Sequence, residues 1–595
     1  MKVINRLLDS FLDWKTKHIS HQQFLMILSS LIGFLAGMVA VALKNLTYLI
    51  QSMLENEVID PYHTAFYFIF PLIGLFLTRV IVRFLLKREL NMGIPAIMDI
   101  MIQRKGIMKK YETYGSILTA PLTVGFGGSL GLESPTVFSG AAISSRLSRI
   151  FRMNQASRTL LIGCAAAGAM SSLFKAPIAA IIFAVEVFAL NLTLVSLIPL
   201  ILASISAILT SYFFFGSDII LQFTFTEDFE IREVPFFILL GALASVCSIF
   251  FTKLHFGILK RFGKIKSTFN RFVIGGLSLG LLIFLFPPLY GEGYDMINNL
   301  LQENYGYALE TSYFNQYLEN IWVVVLLLAC LFIFKIIATS VTLGAGGIGG
   351  LFTPVLYLGS TMGHCFALII NNLGILNSPL SVSNFTLVGM AGLLAGIMHA
   401  PLTAIFLIAE LTSGYELFVP LMITAAISFM ITSQYQPHSV YTMELARQGK
   451  VFSHDKDEMV LTQMDISEVI ETNFIPLEIG MTLGEVVKNG VIKSSRNIFP
   501  VIDKSHNFKG IILLDDLRPI MFNQQLYEEI KVMDIVQAAP EVIDVQKDGV
   551  QTTMKKFNTS GAWNLPVVQN DRYIGFISKS KLLTMYRQKL MEVTV

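Results

Sequence analysis

One carboxylate in this chain stands where a carboxylate is costly. Residues 128 to 135 read Gly-Ser-Leu-Gly-Leu-Glu-Ser-Pro, which sets Glu133 between apolar runs, just ahead of a proline of the kind that opens helices. Two further segments share the grammar of glycines leading into a proline: Asn91-Met92-Gly93-Ile94-Pro95 and Gly349-Gly350-Leu351-Phe352-Thr353-Pro354. A helix start carries unpaired N–H donors and roughly half a positive charge, so several starts meeting inside a bilayer make an anion site without a full cation. None of the three motifs contains Lys or Arg, so such a site attracts a halide and still lets it leave. Glu133, when ionised, is an anion aimed at that site, and when protonated it must release the site. The chemistry expected of it is a tethered gate coupled to external pH.

The motifs come in pairs. Residues 347 to 354, Gly-Ile-Gly-Gly-Leu-Phe-Thr-Pro, mirror residues 128 to 135, with Phe352 opposite Glu133. Phe174-Lys175-Ala176-Pro177 runs on to Glu186 and Met398-His399-Ala400-Pro401 runs on to Glu410, with nine residues from Pro to Glu in both. The chain is therefore read as a duplication, with Glu186 and Glu410 at equivalent places and expected to bond neighbouring backbone.

The elements that must position these residues are membrane helices. Over 595 residues, 53% are hydrophobic and 14% charged, and the mean hydropathy is +0.62, too apolar for a soluble protein. Apolar runs fall at about 24–52, 64–87, 111–125, 134–151, 158–171, 177–190, 193–215, 235–258, 272–288, 319–340, 352–371, 384–397, 401–412 and 417–434. Many are shorter than the roughly 20 residues a crossing needs, and short interrupted segments in matching halves mark an inverted-repeat transporter with broken helices. The expected organisation is an amphipathic interfacial helix at 1–20, repeat one at 21–216, an external linker at 217–234, repeat two with a final short helix at 235–450, and a soluble α/β tail at 451–595.

Charge placement gives an expected orientation. Lys2, Arg6, Lys15 and Lys17, then Arg104, Lys105, Lys109 and Lys110, then Lys260, Arg261, Lys264 and Lys266 read as cytoplasmic. The acid-rich stretch from Glu227 to Glu233 and the loop carrying Glu292, Asp295, Glu303 and Glu310 read as external. A net charge of +2 gives no reason to expect a nucleic-acid partner. No signal peptide, metal cluster or disulfide spacing is expected; Cys164, Cys247, Cys330 and Cys365 read as apolar fillers. Gly344 to Gly349 fits the dinucleotide fingerprint letter by letter, but it follows a membrane run rather than a strand and no acid stands about 20 residues on.

Over about residues 20–450 the ordered motifs, followed by Tyr441, resemble the CLC family of chloride channels and proton/chloride exchangers. The resemblance implies the gating role for Glu133 and an anion site built from Met92, Gly93, Ile94, Pro95, Leu351, Phe352 and Tyr441, with the Glu133 and Phe352 amides facing the ion. It also implies a homodimer with one pathway per subunit. Two departures matter. Met92 replaces the family's usual serine, removing a hydroxyl donor, a change shared with the fluoride-transporting branch. Val187 stands where exchangers commonly carry an inner glutamate, which cannot be replaced by valine as a proton carrier. The expected function is therefore passive, channel-like chloride conduction gated by Glu133 and not enzymatic catalysis. Proton-coupled chloride or fluoride antiport and a nucleotide-sensing membrane protein are the alternatives. The expected location is a bacterial inner membrane, with the lipid bilayer as partner beside chloride or a related halide and both termini cytoplasmic.

Residues 464–525 and 527–590 resemble two CBS modules. In nucleotide-binding modules a Ser/Thr after the last strand is followed three residues later by an Asp. The first module has Asp516 but Leu513, and the second has Ser578 but Lys581. Each motif is half complete, which leaves adenine-nucleotide binding open. No other cofactor is expected.

Overall fold

The computed structural model describes residues 2–54, 64–87, 92–216, 229–304, 320–374, 376–412, 414–447, 461 and 464–594. Asn91, residues 217–228 of the expected linker, Glu310 and the junction around residue 450 lie outside the described residues. The chain divides into two compact units, Met1–Lys450 and Val451–Val595.

Among the described residues the regular elements of the first unit are all helices. Helix α1 (Lys2–His18) carries Asp9, which pairs with Arg152 at 2.6 Å, and Leu12, which is buried while Trp14 is exposed. Then follow α2 (His21–Leu54), α3 (Phe70–Val80, continued as a π-helix to Leu86), α4 (Ile94–Gln103), α5 (Gly115–Gly125), α6 (Glu133–Ile150), α7 (Gln155–Phe174), α8 (Pro177–Phe188) and α9 (Leu194–Phe215). The second half repeats this order as α10 (Val234–Lys264), α11 (Thr268–Leu285), α12 (Tyr294–Leu301), α13 (Ile321–Gly344), α14 (Phe352–Asn372), α15 (Val382–Met398), α16 (Pro401–Leu411) and α17 (Phe418–Tyr435). A last short helix, α18 (Val440–Arg447), follows.

Packing repeats with the order. In the first half α2 lies against α7 and α9, α6 against α7, and α7 against α9; in the second α10 lies against α15 and α17, α14 against α15, and α15 against α17. Small residues allow these approaches, since lipid offers no hydrophobic drive between helices and close backbone contact must supply the attraction. A Cβ added to Gly363 on α14 would fall 2.1 Å from the Phe385 carbonyl oxygen on α15.

Among the described residues nine helical segments are long and apolar enough to cross a membrane, whereas α4, α8, α15 and α16 have 10–17 residues. At 1.5 Å per residue, α4 with its 10 residues reaches about 15 Å, roughly half the hydrocarbon thickness. These are the broken helices that the short apolar runs predict. The acid-rich stretch around Asp295, expected as loop, instead holds α12. Its polar Asp295, Asn298 and Asn299 mask an apolar face of Met296, Ile297, Leu300 and Leu301, all buried.

The second unit contains one design twice. Strands β1 (Leu477–Glu478), β2 (Ile498–Ile502) and β3 (Phe508–Leu513) form one sheet, and β4 (Ile543–Asp544), β5 (Asn564–Gln569) and β6 (Arg572–Ser578) the other. In each, the first pair is parallel, with Leu477 opposite Val501 and Ile543 opposite Val567, and the second pair antiparallel. Helix α19 (Val550–Ser560) crosses between β4 and β5, and α20 (Lys579–Thr594) follows β6. The modules exchange backbone: Glu471, which precedes the first sheet, bridges Phe576 on β6, and Gln537, which precedes the second, bridges Ile511 on β3.

Candidate functional site

Three helices begin where the glycine–proline motifs stand. Helix α4 starts at Ile94 after Gly93, whose φ of 116° and ψ of 179° only glycine adopts without strain, and Pro95 lies in its first turn. Helix α6 starts at Glu133 and α14 at Phe352, each with its proline in the first turn. Gly131 and Gly350, just ahead of these two starts, exchange backbone hydrogen bonds of 3.0 and 2.7 Å, so the breaks of the two repeats are joined. Side chains have no room here. A Cβ on Gly349 would lie 2.4 Å from the Leu130 side chain, and one on Gly350 would lie 2.9 Å from Ser134 Oγ.

Glu133 is 1% exposed, and its carboxylate turns to the other repeat. The Thr353 backbone N–H donates to Oε1 at 2.6 Å and the Thr353 hydroxyl donates to Oε2 at 3.2 Å. The acid thus occupies the unpaired donors at the start of α14, where an anion would otherwise sit. Rotation of this one side chain would free them.

The remaining residues named from the sequence surround this point to different degrees. Phe352 is buried, its ring 5.3 Å from Phe174 and 6.1 Å from Phe183. Leu351 is buried at the residue before α14, Ile94 is buried at the start of α4, and Met92 and Pro95 are partly buried beside it. Helix α4 packs on α6, and α18 packs on α4 and α15. That packing buries Tyr441 and brings it within Coulombic range of Glu133; its hydroxyl has no hydrogen-bond partner among the described residues. A buried phenol donor left unpaired is suited to an anion, whereas the Met92 thioether offers no donor. Val187 is buried in α8 and puts no carboxylate there.

Sequence reasoning missed the shell on the other side of Glu133. Leu132 N–H donates to Glu292 Oε1 at 3.2 Å, and the Tyr294 and Thr353 hydroxyls are hydrogen-bonded at 3.0 Å. Lys335, fully buried in α13, donates to the Gly291 and Glu292 carbonyls at 3.2 and 3.4 Å. Its signal was a single charge in a 24-residue apolar helix, and an intramembrane lysine is a functional candidate by default.

Glu186 and Glu410 bond helix starts rather than loops. Glu186 accepts from Leu402 N–H at 3.0 Å and Thr403 N–H at 2.8 Å; Glu410 accepts from Ile178 N–H at 3.0 Å and Ala179 N–H at 2.8 Å. All four cysteines are unpaired, Cys164 fully buried and the others partly. Gly344 to Gly349 form the turn from α13 toward α14, with no strand before them.

In the second unit a cleft of 720 Å³ is lined by Glu471, Asn473, Arg496, Trp563, Ser578 and Lys581, among others. Ser578 lies there and donates to Glu471 Oε1 at 2.8 Å, while Arg496 pairs with Glu471 Oε2 at 2.6 Å. Asp516 is not part of this cleft and accepts from Gln537 at 3.1 Å.

Comparison with known proteins follows the same lines. The chain is 28% identical over 434 residues to the H(+)/Cl(-) exchange transporter ClcA of Vibrio cholerae, covering 71% of this chain and 88% of the relative. It is 30% identical over 353 residues to the ClcA of Vibrio vulnificus, covering 58% and 70%. A putative chloride channel protein, ClcB-like, of Ralstonia nicotianae is 28% identical over 387 residues, covering 63% and 85%. Two solved structures share the fold, each with a TM-score of 0.60. A slow cyanobacterial Cl−/H+ antiporter is 22% identical and covers 71% of this chain and 97% of its own; a eukaryotic CLC transporter is 17% identical and covers 94% and 99%. The family described as voltage gated chloride channel matches residues 73–433. This chain is an integral membrane protein of that family.

Proposed function

We propose that this protein exchanges chloride for protons across its membrane, with Glu133 as the gate that carries both the blocking charge and the proton. The observation that carries the reading is the Glu133 carboxylate seated on the Thr353 N–H and hydroxyl at the start of α14. A halide and this carboxylate compete for the same donors, so protonation of the acid and entry of the anion favour each other. Phe352, Tyr441 and the α4 start around Met92, Gly93, Ile94 and Pro95 form the rest of the anion path.

Passive conduction, expected from Val187, is the less favoured reading. The similar proteins from Vibrio are named as exchangers, and their likeness extends over most of their length. Val187 then means that protons leave Glu133 on the inner side without a carboxylate at that position. Reconstituted vesicles decide between the two. An outward chloride gradient should drive protons inward against their own gradient. Chloride flux with no proton movement restores the passive reading. Glu133→Gln should abolish the proton movement, raise chloride flux and flatten its pH dependence; unchanged flux and pH response reject the gate.

The tail is proposed to be a CBS pair, supported by its twice-used strand order and the exchanged bridges at Glu471 and Gln537. A homodimer in a bacterial inner membrane, termini toward the cytoplasm, is the assembly proposed.

A further inference from the structure

Glu292 lies in the connection between α11 and α12, where Gly291 and Gly293 both adopt positive φ, 58° and 92°, and so present the single side chain between them. That side chain reaches the same helix start as the gate. Its Oε1 accepts from the N–H of Leu132, the residue immediately before Glu133. Glu133 thus springs from the start of α6 and seats its carboxylate on the start of α14, while Glu292 takes up the backbone donor just before it; Glu133 is buried and Glu292 partly exposed. The charged and titratable groups facing Glu292 are Glu133 from α6, Lys44 from α2, Lys335 from α13 and Tyr294 from α12. Lys335 is held against the backbone of residues 291 and 292, which fixes a buried amine beside Glu292. The Tyr294 hydroxyl, two residues on from Glu292, meets the Thr353 hydroxyl that bonds Glu133.

We infer that Glu292 is a positioning residue that sets the proton affinity of the Glu133 gate. Two carboxylates close together at low polarity resist being ionised together, so a charge on Glu292 raises the affinity of Glu133 for a proton. Lys335 and Lys44 act in the opposite sense. When Glu133 leaves Thr353 toward the Glu292 side, it leaves most readily as the neutral acid, and anion passage is tied to proton pickup. The inference rests on the gate reading of Glu133 given above.

The test is chloride flux of the full-length protein in vesicles against bath pH. Glu292→Gln keeps an oxygen to accept from Leu132 and removes the charge. The pH of half-activation should then move to the acid side by about one unit. Glu292→Asp should restore the parent profile. Lys44→Gln, which leaves the Leu132 contact untouched, should move half-activation to the alkaline side. An unshifted profile in both Glu292→Gln and Lys44→Gln overturns the inference, as does a fall in flux at every pH with no shift. Glu133→Gln run alongside separates the two levels. If it loses pH dependence while Glu292→Gln matches the parent, only the role of Glu292 fails; if Glu133→Gln keeps the parent's pH dependence, the gate itself fails.

Discussion

Glu186 and Glu410 stand in reciprocal positions: each closes the first turn of the helix that carries the other. Glu186, near the end of α8, accepts from the N–H groups of Leu402 and Thr403 on α16, and Glu410, near the end of α16, accepts from those of Ile178 and Ala179 on α8. Each helix begins with a proline, so its remaining first-turn donors need an outside partner. A carboxylate supplies it and also opposes the positive helix end. The two helices therefore lie antiparallel, as an inverted duplication requires.

Replacing either acid by alanine should destabilise the membrane unit by about 1–3 kcal/mol, the cost of leaving partly buried donors unpaired. Thermal unfolding in detergent measures this, and flux per folded protein should stay near the parent level. Because the two acids bond different helix starts, their effects should add.

Thr353→Val keeps the backbone N–H donated to Glu133 and removes the hydroxyl donated at 3.2 Å. A lost hydrogen bond of about 1 kcal/mol loosens the seated carboxylate about five-fold. Chloride flux at neutral pH should rise by up to that factor. A fall in flux with normal folding would mean that the hydroxyl serves the anion rather than the gate.

Gly131→Ala tests the gate without touching its chemistry. A Cβ at this position would lie 2.0 Å from Glu133 Oε2, a distance that the side chain can relieve only by leaving its seat. Flux at neutral pH should approach that of Glu133→Gln while the acid is still present to titrate. Parent-like flux would show that the carboxylate has another resting place.

In the second unit Glu471 takes up both Arg496 and Ser578, two groups of the cleft suited to a phosphate or a ribose. Glu471→Gln should strengthen binding of an adenine nucleotide about ten-fold by removing a like charge from the cleft. Equilibrium binding to the full-length protein reads this out. No binding by either form points to a structural role for the pair.

Much of the fold was legible because lipid demands long apolar runs and punishes exceptions. Every apolar run from 24–52 to 417–434 overlaps a helix, and the starts of α4, α6 and α14 fall where glycine and proline placed them. Helix α12 was not legible, since its Asp295, Asn298 and Asn299 read as loop until the buried partners of its other face are known. Within the site, Glu133 was identifiable from its own segment and Thr353 lay in the mirrored motif, but Glu292 and Lys335 come from parts of the chain that only packing brings near. Glu471 is a similar case. It precedes the strands of its own module and reaches Ser578 through its bridge to Phe576.

The backbone stitch between Gly131 and Gly350 constrains how the protein can cycle. With the duplicated halves fastened to each other at the ion path and again at α8 and α16, rocking one half against its twin would break every cross-fastening at once. Turning one acid side chain breaks only its own bonds to Thr353. Turning that side chain therefore disturbs far fewer bonds than parting the halves would.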